Sequence, residues 1–408
     1  MITKYLENKN FSTTLINFIY QFKCNKNEII AHTILSRLMN YTNNKYNSED
    51  SFNIEKLNRY IINYKVSSQS INDIYFINFS ILIPNKDIIK ENKLKEQIEF
   101  LLDSIYNPNI NNELYDELLF EREKRIYIEN LLNGYKNVSF ISEKNMLDMI
   151  DSEGIINKLK YKDLDNIKNL ENKDIVDFYN KYIKNTKPKI FINGNIDIKL
   201  VNSIIENYFN NLNLKEYKIL KKYDKYFNNN KLTEKHDVGN FYESYVYMIY
   251  NIKNYNENDK YKLYLINLLL SSSSSDILLD NLRKKSNLVY SCGSSVFMKN
   301  NLLIIKAITS KNNIEITKKV IKECINSLKD IDNYKENICN ILYRLELNKM
   351  RKKDSFFSYS DDLINEYFET DKSLEREIDI LSNIEKEELL NCINRLELSS
   401  IYVMEGNK

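Results

Sequence analysis

Arg283 and Tyr290 stand seven residues apart in the stretch NLRKKSNLVYSCGSSV. The Arg falls at the end of a helical pattern and the Tyr at the start of an apolar strand-like run. A guanidinium is always charged, and a Tyr hydroxyl remains a protonated donor at neutral pH. Two such donors held together can grip a carbonyl oxygen as it gains negative charge, each contributing about 3 kcal/mol in a transition state. Nothing near them in sequence can act as nucleophile, metal ligand or general base. Tyr occurs 31 times in the chain, so the same spacing also fits a surface Arg at a helix end beside a half-buried strand Tyr.

The other conspicuous run, Ser271 to Ser275, lies between two helical patterns and directly precedes one. Serine side chains there can accept from the first free N–H groups of a helix. No His lies nearby to activate a serine nucleophile, so capping and loop roles are expected.

The elements that must position Arg283 and Tyr290 follow from hydrophobic periodicity. The second half reads as a strand in NFYESYVYMIYNI, a helix in DKYKLYLINLLL, a short helix in DILLDNLRKK, and strands in LVYSCGSSVF and LLIIKAIT, followed by several long helices. The first half reads as a strand in TTLINFIYQF, then a helix placing Ile30, Ala31, Ile34, Leu35 and Leu38 on one face. A strand in INDIYFINFSILIP (71–84) and two long helices, KLKEQIEFLLDSIYN and NELYDELLFEREKRIYIENLLNG, come next. Strands interrupted by helices in each half predict an α+β chain, with helices on one face of mostly antiparallel sheets.

Two segments share one pattern of helix, polar connection, apolar strand and glycine: 174–195, closing on Gly194, and 387–407, closing on Gly406. They suggest two similarly built domains, 1–212 and 237–408. The Lys- and Asn-rich stretch between them (211–237) has little periodicity and reads as the interdomain linker, taken as 213–236.

At 408 residues the chain is too long for one ordinary core, and 43% apolar with 28% charged residues is the balance of a soluble globular protein. A net charge of +2 argues against nucleic acid or an anionic membrane as partner. Cys24, Cys292, Cys324, Cys339 and Cys392 are scattered with no C-x-x-C, as reduced thiols in a cytoplasmic protein would be. The N-terminal apolar run is too short and interrupted for a signal peptide or membrane span. Gly, at 6 residues, is so scarce that positions a fold normally gives to Gly are expected to hold Asn or Ser.

The block LLLSSSSSDILLDNLRKKSNLVYSCGSS resembles the second-domain signature of the insulinase-like metallopeptidases (pitrilysin, mitochondrial processing peptidase). In that family a Gly-rich turn leads into a helix with L-R-E-K-x-x-L-A-Y-S. Here Ser replaces the Gly positions, Arg283-Lys284-Lys285 stands for R-E-K, and Leu288-Val289-Tyr290-Ser291 stands for L-A-Y-S, with the Arg-to-Tyr spacing kept. The resemblance extends over most of the chain. NPNINNELYDELLFEREKRIYIEN is similar to the segment leading to the family's third zinc ligand, and IFINGNID and IYVMEGN to the closing strands of its two domains.

The resemblance implies two α/β-sandwich domains forming half of a clamshell, zinc held by an inverted His-x-x-Glu-His helix plus a distant Glu, and an Arg/Tyr pair that holds the substrate carbonyl. The inverted motif falls in AHTILSRLM. His32 stands at the first ligand position, but Leu35 occupies the base position and Ser36 the second ligand position. The third ligand position falls on Asn130, with Glu129 adjacent. A catalytic zinc needs three protein ligands, a water and a carboxylate to take its proton. The only other His in the sequence, His236, lies in or beside the linker, so a His/His/Glu site on one helix cannot be assembled.

The expectation is therefore a subunit without cofactor and inactive alone. It would supply Arg283 and Tyr290 to a zinc-bearing homologous partner, and together they would cut a peptide. The alternative is an inert scaffold or peptide-binding pseudoenzyme of the same fold, as zinc-free relatives in respiratory complexes are. An autonomous metalloenzyme using His32 and carboxylates is the third reading. The first two predict that the purified chain holds no stoichiometric zinc by atomic emission and that His32→Ala leaves its metal content unchanged. Stoichiometric zinc lost in that variant would establish the third.

Overall fold

β2 (Thr13–Lys23) is the spine of the first half: Thr14 to Phe22 are all buried, whichever way their side chains point. A strand buried on both faces needs a cover on each, and this requirement organises the molecule. We describe it from a computed structural model covering residues 2–408 except 86, 89–90, 152, 155, 158–163, 222, 229–230, 272–275 and 331–333. The chain divides into two compact units. The first comprises Met1–Asn133, Gly154–Lys222 and Ser355–Asp371; the second comprises Gly134–Glu153, Tyr223–Asp354 and Lys372–Lys408.

In the first unit β1 (Lys4–Glu7), β2, β3 (Asn63–Ile71), β4 (Ile74–Pro84) and β7 (Lys189–Gly194) form a sheet of order β1-β7-β2-β4-β3. β1 runs parallel to β7, and every other neighbour is antiparallel. A short hairpin, β5 (Ile110–Asn111) with β6 (Leu114–Tyr115), precedes the helix Glu117–Gly134. Phe22 packs edge-on against His32 and Phe178 on helices that follow in sequence, and Tyr20 joins hydroxyls at 2.9 Å with Tyr106, the last residue of the helix Leu94–Tyr106. The opposite face carries Phe76, Phe191 and Asn193. Its cover is the helix Phe356–Phe368, from far downstream: Phe368 and Tyr367 pack edge-on to Phe76 and Phe191, and Asn193 Nδ2 donates to the Phe356 carbonyl at 3.1 Å.

The second unit repeats this plan. β8 (Thr233–Gly239), β9 (Ser244–Ile252), β10 (Val289–Phe297), β11 (Leu302–Thr309) and β12 (Leu396–Gly406) take the order β10-β11-β9-β12-β8, with β8 parallel to β12 and the rest antiparallel. Strand for strand this is the first sheet again, with β12 in the place of β7. One face, with Val246, Met248, Tyr250 and Ile252, forms the apolar core with helices including Lys260–Ser271 and Ile314–Ser327. The other is covered by the helix Val138–Ile150 through polar contacts: Lys306 Nζ to Ser139 Oγ at 2.8 Å, Ser142 Oγ to Tyr247 OH at 3.1 Å, and Asn145 Nδ2 to Asp237 Oδ2 at 3.2 Å.

The α+β class and mostly antiparallel sheets are as expected from the sequence, but each sheet has helices on both faces, the second cover coming from a distant part of the chain. Neither covering segment follows a division at 213–236. The Lys/Asn-rich stretch is also more structured than its composition implies. Tyr217 OH donates to the Ile19 carbonyl at 3.1 Å, Gln21 and the Leu220 backbone bond reciprocally at 2.7 Å, and the last residues form β8. β3 has little alternation and gives no strand signal.

The shared glycine at the end of β7 and β12 has a steric cause. A Cβ on Gly194, whose φ is +144°, would lie 2.6 Å from the Thr14 Cα; one on Gly406 would lie 2.6 Å from the Phe241 carbonyl. Both strands end pressed against the start of the central strand. Gly194→Ala is therefore expected to destabilise the protein by about 2–4 kcal/mol through strain and overpacking, read as a lowered urea midpoint. An exposed substitution such as Lys322→Ala is expected to shift it by no more than about 0.5 kcal/mol.

Candidate substrate-gripping site and degenerate metal position

The segment carrying Arg283 and Tyr290 is irregular at both residues. Asp276 Oδ1 accepts from the Leu279 N–H at 2.8 Å and starts a helix over Ile277–Leu279. That helix widens into a π turn over Asp280–Lys285, on which Leu282 is fully buried and Arg283 is exposed. Asn287 (φ 47°) takes the left-handed position that ends the turn. The N–H of Leu288 then returns to the Leu282 carbonyl at 2.8 Å, and that of Asn287 to the Arg283 carbonyl at 2.9 Å. This double closure brings the chain back beside Arg283 just before β10 begins.

On β10, Val289 pairs with Thr309 and Ser291 with Ile308, leaving Tyr290 as the extra residue of a β-bulge. Val289 is buried, whereas Tyr290 is 57% exposed. Bulges re-aim side chains and π turns recur at functional sites. Here each of the two singled-out residues sits on one of these irregularities. Among the described residues neither the Arg283 guanidinium nor the Tyr290 hydroxyl has a hydrogen-bond or ion-pair partner. Both are available donors at the head of one strand.

Among the described residues no activated nucleophile accompanies them. Cys292, two residues along β10, is pushed up to about 11 by burial and by the Asp276 charge, against the opposing pull of Arg283, and stays a thiol. Ser271 ends the helix Lys260–Ser271; the rest of the serine run, 272–275, lies outside the described residues.

In the first unit the expected zinc ligands are used otherwise. His32, on the helix Glu28–Leu38, is buried with Nε2 at 3.0 Å from the Phe76 carbonyl, so that nitrogen carries the proton and donates. Its ring lies edge-on to Phe22 and Tyr75. Leu35 is core, and the Ser36 hydroxyl donates to the Thr33 carbonyl at 2.8 Å. Asn130 and Glu129 are exposed on the helix Glu117–Gly134. Among the described residues no three His, Cys, Asp or Glu are grouped to hold a metal. The residues at the motif positions do not fit zinc: a carbonyl-bound imidazole, an alkyl chain, a hydroxyl and an amide give no ligand set.

A different link joins those two helices. Glu123, on Glu117–Gly134, is fully buried and receives Arg37 Nε and Nη2, each at 2.8 Å. Arg122 Nη2 reaches the second carboxylate oxygen at 3.2 Å, pairs with Glu49, and lies over the Tyr41 ring at 4.6 Å. Sequence reading missed this cluster. Its members lie on three separate helices and turns, so no local spacing announces it.

Comparison with known proteins agrees with this description. The family model described as the peptidase M16 inactive domain matches residues 169–337. A probable inactive metalloprotease of Bacillus subtilis, YmfF, is 20% identical over 343 residues, covering 82% of this chain and 79% of its own. Among solved structures, a conserved protein from Enterococcus faecalis superposes with a TM-score of 0.87 at 17% identity, over 99% of this chain and 96% of that one. A peptidase M16 inactive domain from Pseudomonas fluorescens superposes with 0.76 at 11% identity, over 99% and 95%. Residues 169–337 are thus similar to the peptidase M16 inactive domain, and the whole chain shares the fold of the solved structure of such a domain.

Proposed function

We propose that this chain is the substrate-gripping half of a two-chain peptidase. Arg283 and Tyr290 hold and polarise the scissile carbonyl of a peptide at the zinc site of a homologous partner. One observation carries the reading: in a chain whose metal motif has been given over to core packing, both donors remain exposed, unpaired and mounted on a π turn and a bulge. A residue kept only for the fold has no need of either irregularity.

The chemistry asked of the pair is electrostatic. As hydroxide adds to a peptide carbonyl, the oxygen becomes an alkoxide. A guanidinium and a phenolic O–H pointing at it stabilise that charge more than the ground-state dipole, which lowers the barrier rather than merely tightening binding. The nucleophile and its base come from the partner. Five unbridged cysteines suit a reducing, cytoplasmic setting, and among the described residues no helix is long and apolar enough to cross a membrane.

The second reading, an inert scaffold or peptide-binding pseudoenzyme, is favoured by the inactive-domain match and by the relative's description. Co-purification with the source genome's zinc-bearing homologue, and cleavage of an unstructured peptide library by the pair, separates the two. On the first reading Arg283→Ala lowers kcat/KM of the pair by about 100-fold or more, and Tyr290→Phe by about 10- to 100-fold. If both variant pairs cut as fast as the wild type, the chain is a scaffold.

A further inference from the structure

The helix Tyr334–Lys353 in the second unit is apolar on two sides. Ile338, Ile341 and Leu345 are buried in the unit's core. On the far side Tyr343 is 67% exposed, Leu347 38% and Met350 59%, with Cys339 exposed at the end of the same line. Positions 339, 343, 347 and 350 follow the helical repeat, and at 1.5 Å per residue they make a stripe about 16 Å long. An apolar stripe facing water on a helix already anchored by its other face is a surface in want of a partner.

The charges at its two ends say which. Glu336, one turn before Cys339, and Arg351, just past Met350, are both exposed, and neither has an ion-pair partner among the described residues. Their midpoint falls between Tyr343 and Arg344, within one residue of the centre of the stripe. Laid antiparallel on an identical helix about that point, each stripe covers the other, and Glu336 of one copy meets Arg351 of the other, twice. A C2 interface is self-complementary in this way. A parallel pairing would instead set like charges side by side.

We propose that the Cys339–Met350 stripe is a self-association face on which a second copy of this chain docks antiparallel through the same helix. This goes beyond the peptidase reading and does not depend on it. So narrow a stripe buries less than the about 1,200–2,000 Å² of a standard interface, so the dimer dissociates on dilution.

The test is sedimentation equilibrium of the intact chain over a micromolar-to-submillimolar series, with circular dichroism as the check on folding. The wild type is expected to show a reversible monomer–dimer equilibrium. Tyr343→Glu at the centre is expected to weaken it by about 30-fold. Glu336→Arg alone breaks both symmetry-related pairs and is expected to weaken it by up to about 25-fold, since exposed pairs contribute at most about fivefold each. Combining Glu336→Arg with Arg351→Glu should restore the wild-type constant, a rescue that a general loss of stability would not give. A chain that stays monomeric throughout, a dimer indifferent to Tyr343→Glu, or a charge swap that fails to restore association would overturn the proposal. So would a stripe that engages only a different chain.

Discussion

Strands buried on both faces are the constraint from which the rest of this molecule follows. β2 and β9 expose nothing from Thr14 to Phe22 and from Ser244 to Ile252. Polar side chains among them must therefore find partners inside the fold, as Gln21 does on the Leu220 backbone and Asn17 on Asn78 at 2.9 Å. Each sheet needs a second cover that its own consecutive helices do not supply, and in both units the chain brings one from a distance. The two covers are unlike. The helix Phe356–Phe368 meets the first sheet largely through Phe356, Tyr367 and Phe368, whereas Val138–Ile150 meets the second largely through hydroxyl, amide and ammonium groups.

Repetition of one topology gives the two units the same set of positions, and the chain has developed a different one in each. In each unit a helix follows the central strand, and a second helical segment leads to the edge strand. In the first unit the helix after β2 has turned its motif positions inward, and a buried Arg–Glu contact now joins it to a later helix. Removing Arg37 leaves the buried Glu123 carboxylate with Arg122 alone, and removing Glu123 leaves both guanidinium groups short of a partner, so the cluster is costly to break even where it adds little net stability. In the second unit the segment before β10 retains an awkward backbone that displays its two donors. The first unit spends its helix after the central strand on packing; the second displays two unpaired donors at the segment before its edge strand.

The sequence disclosed most of this where periodicity or spacing was local. β2, β4, β9, β10 and β11 follow from their apolar runs, and the glycines closing 174–195 and 387–407 mark two strand ends that steric contact holds to glycine. Scarcity of Gly obscured the turns. Left-handed backbone falls on Asn72, Asn112, Asn254, Asn287 and Asn301, residues that tolerate it without advertising a turn as Gly does. Edge strands β3 and β8 were illegible because their polar composition matches that of connectors. The Arg37–Glu123 pair and the crossing covers were illegible for another reason: they are contacts between remote segments, and a single sequence records no distances.

The order in which the chain is made gives the crossing covers a further meaning. On a ribosome, β7 emerges roughly 160 residues before the helix that shields its sheet's second face, a gap of about 10–30 s at about 5–20 residues per second. Through that interval Phe76 and Phe191 have no native shelter. The polar-footed helix Val138–Ile150 likewise waits for a sheet whose first strands lie nearly a hundred residues ahead. Maturation of the first half is thus deferred until the helix Phe356–Phe368 is out, and that of the second until β12 is out, which ties the shelter of early strands to faithful translation of segments far downstream.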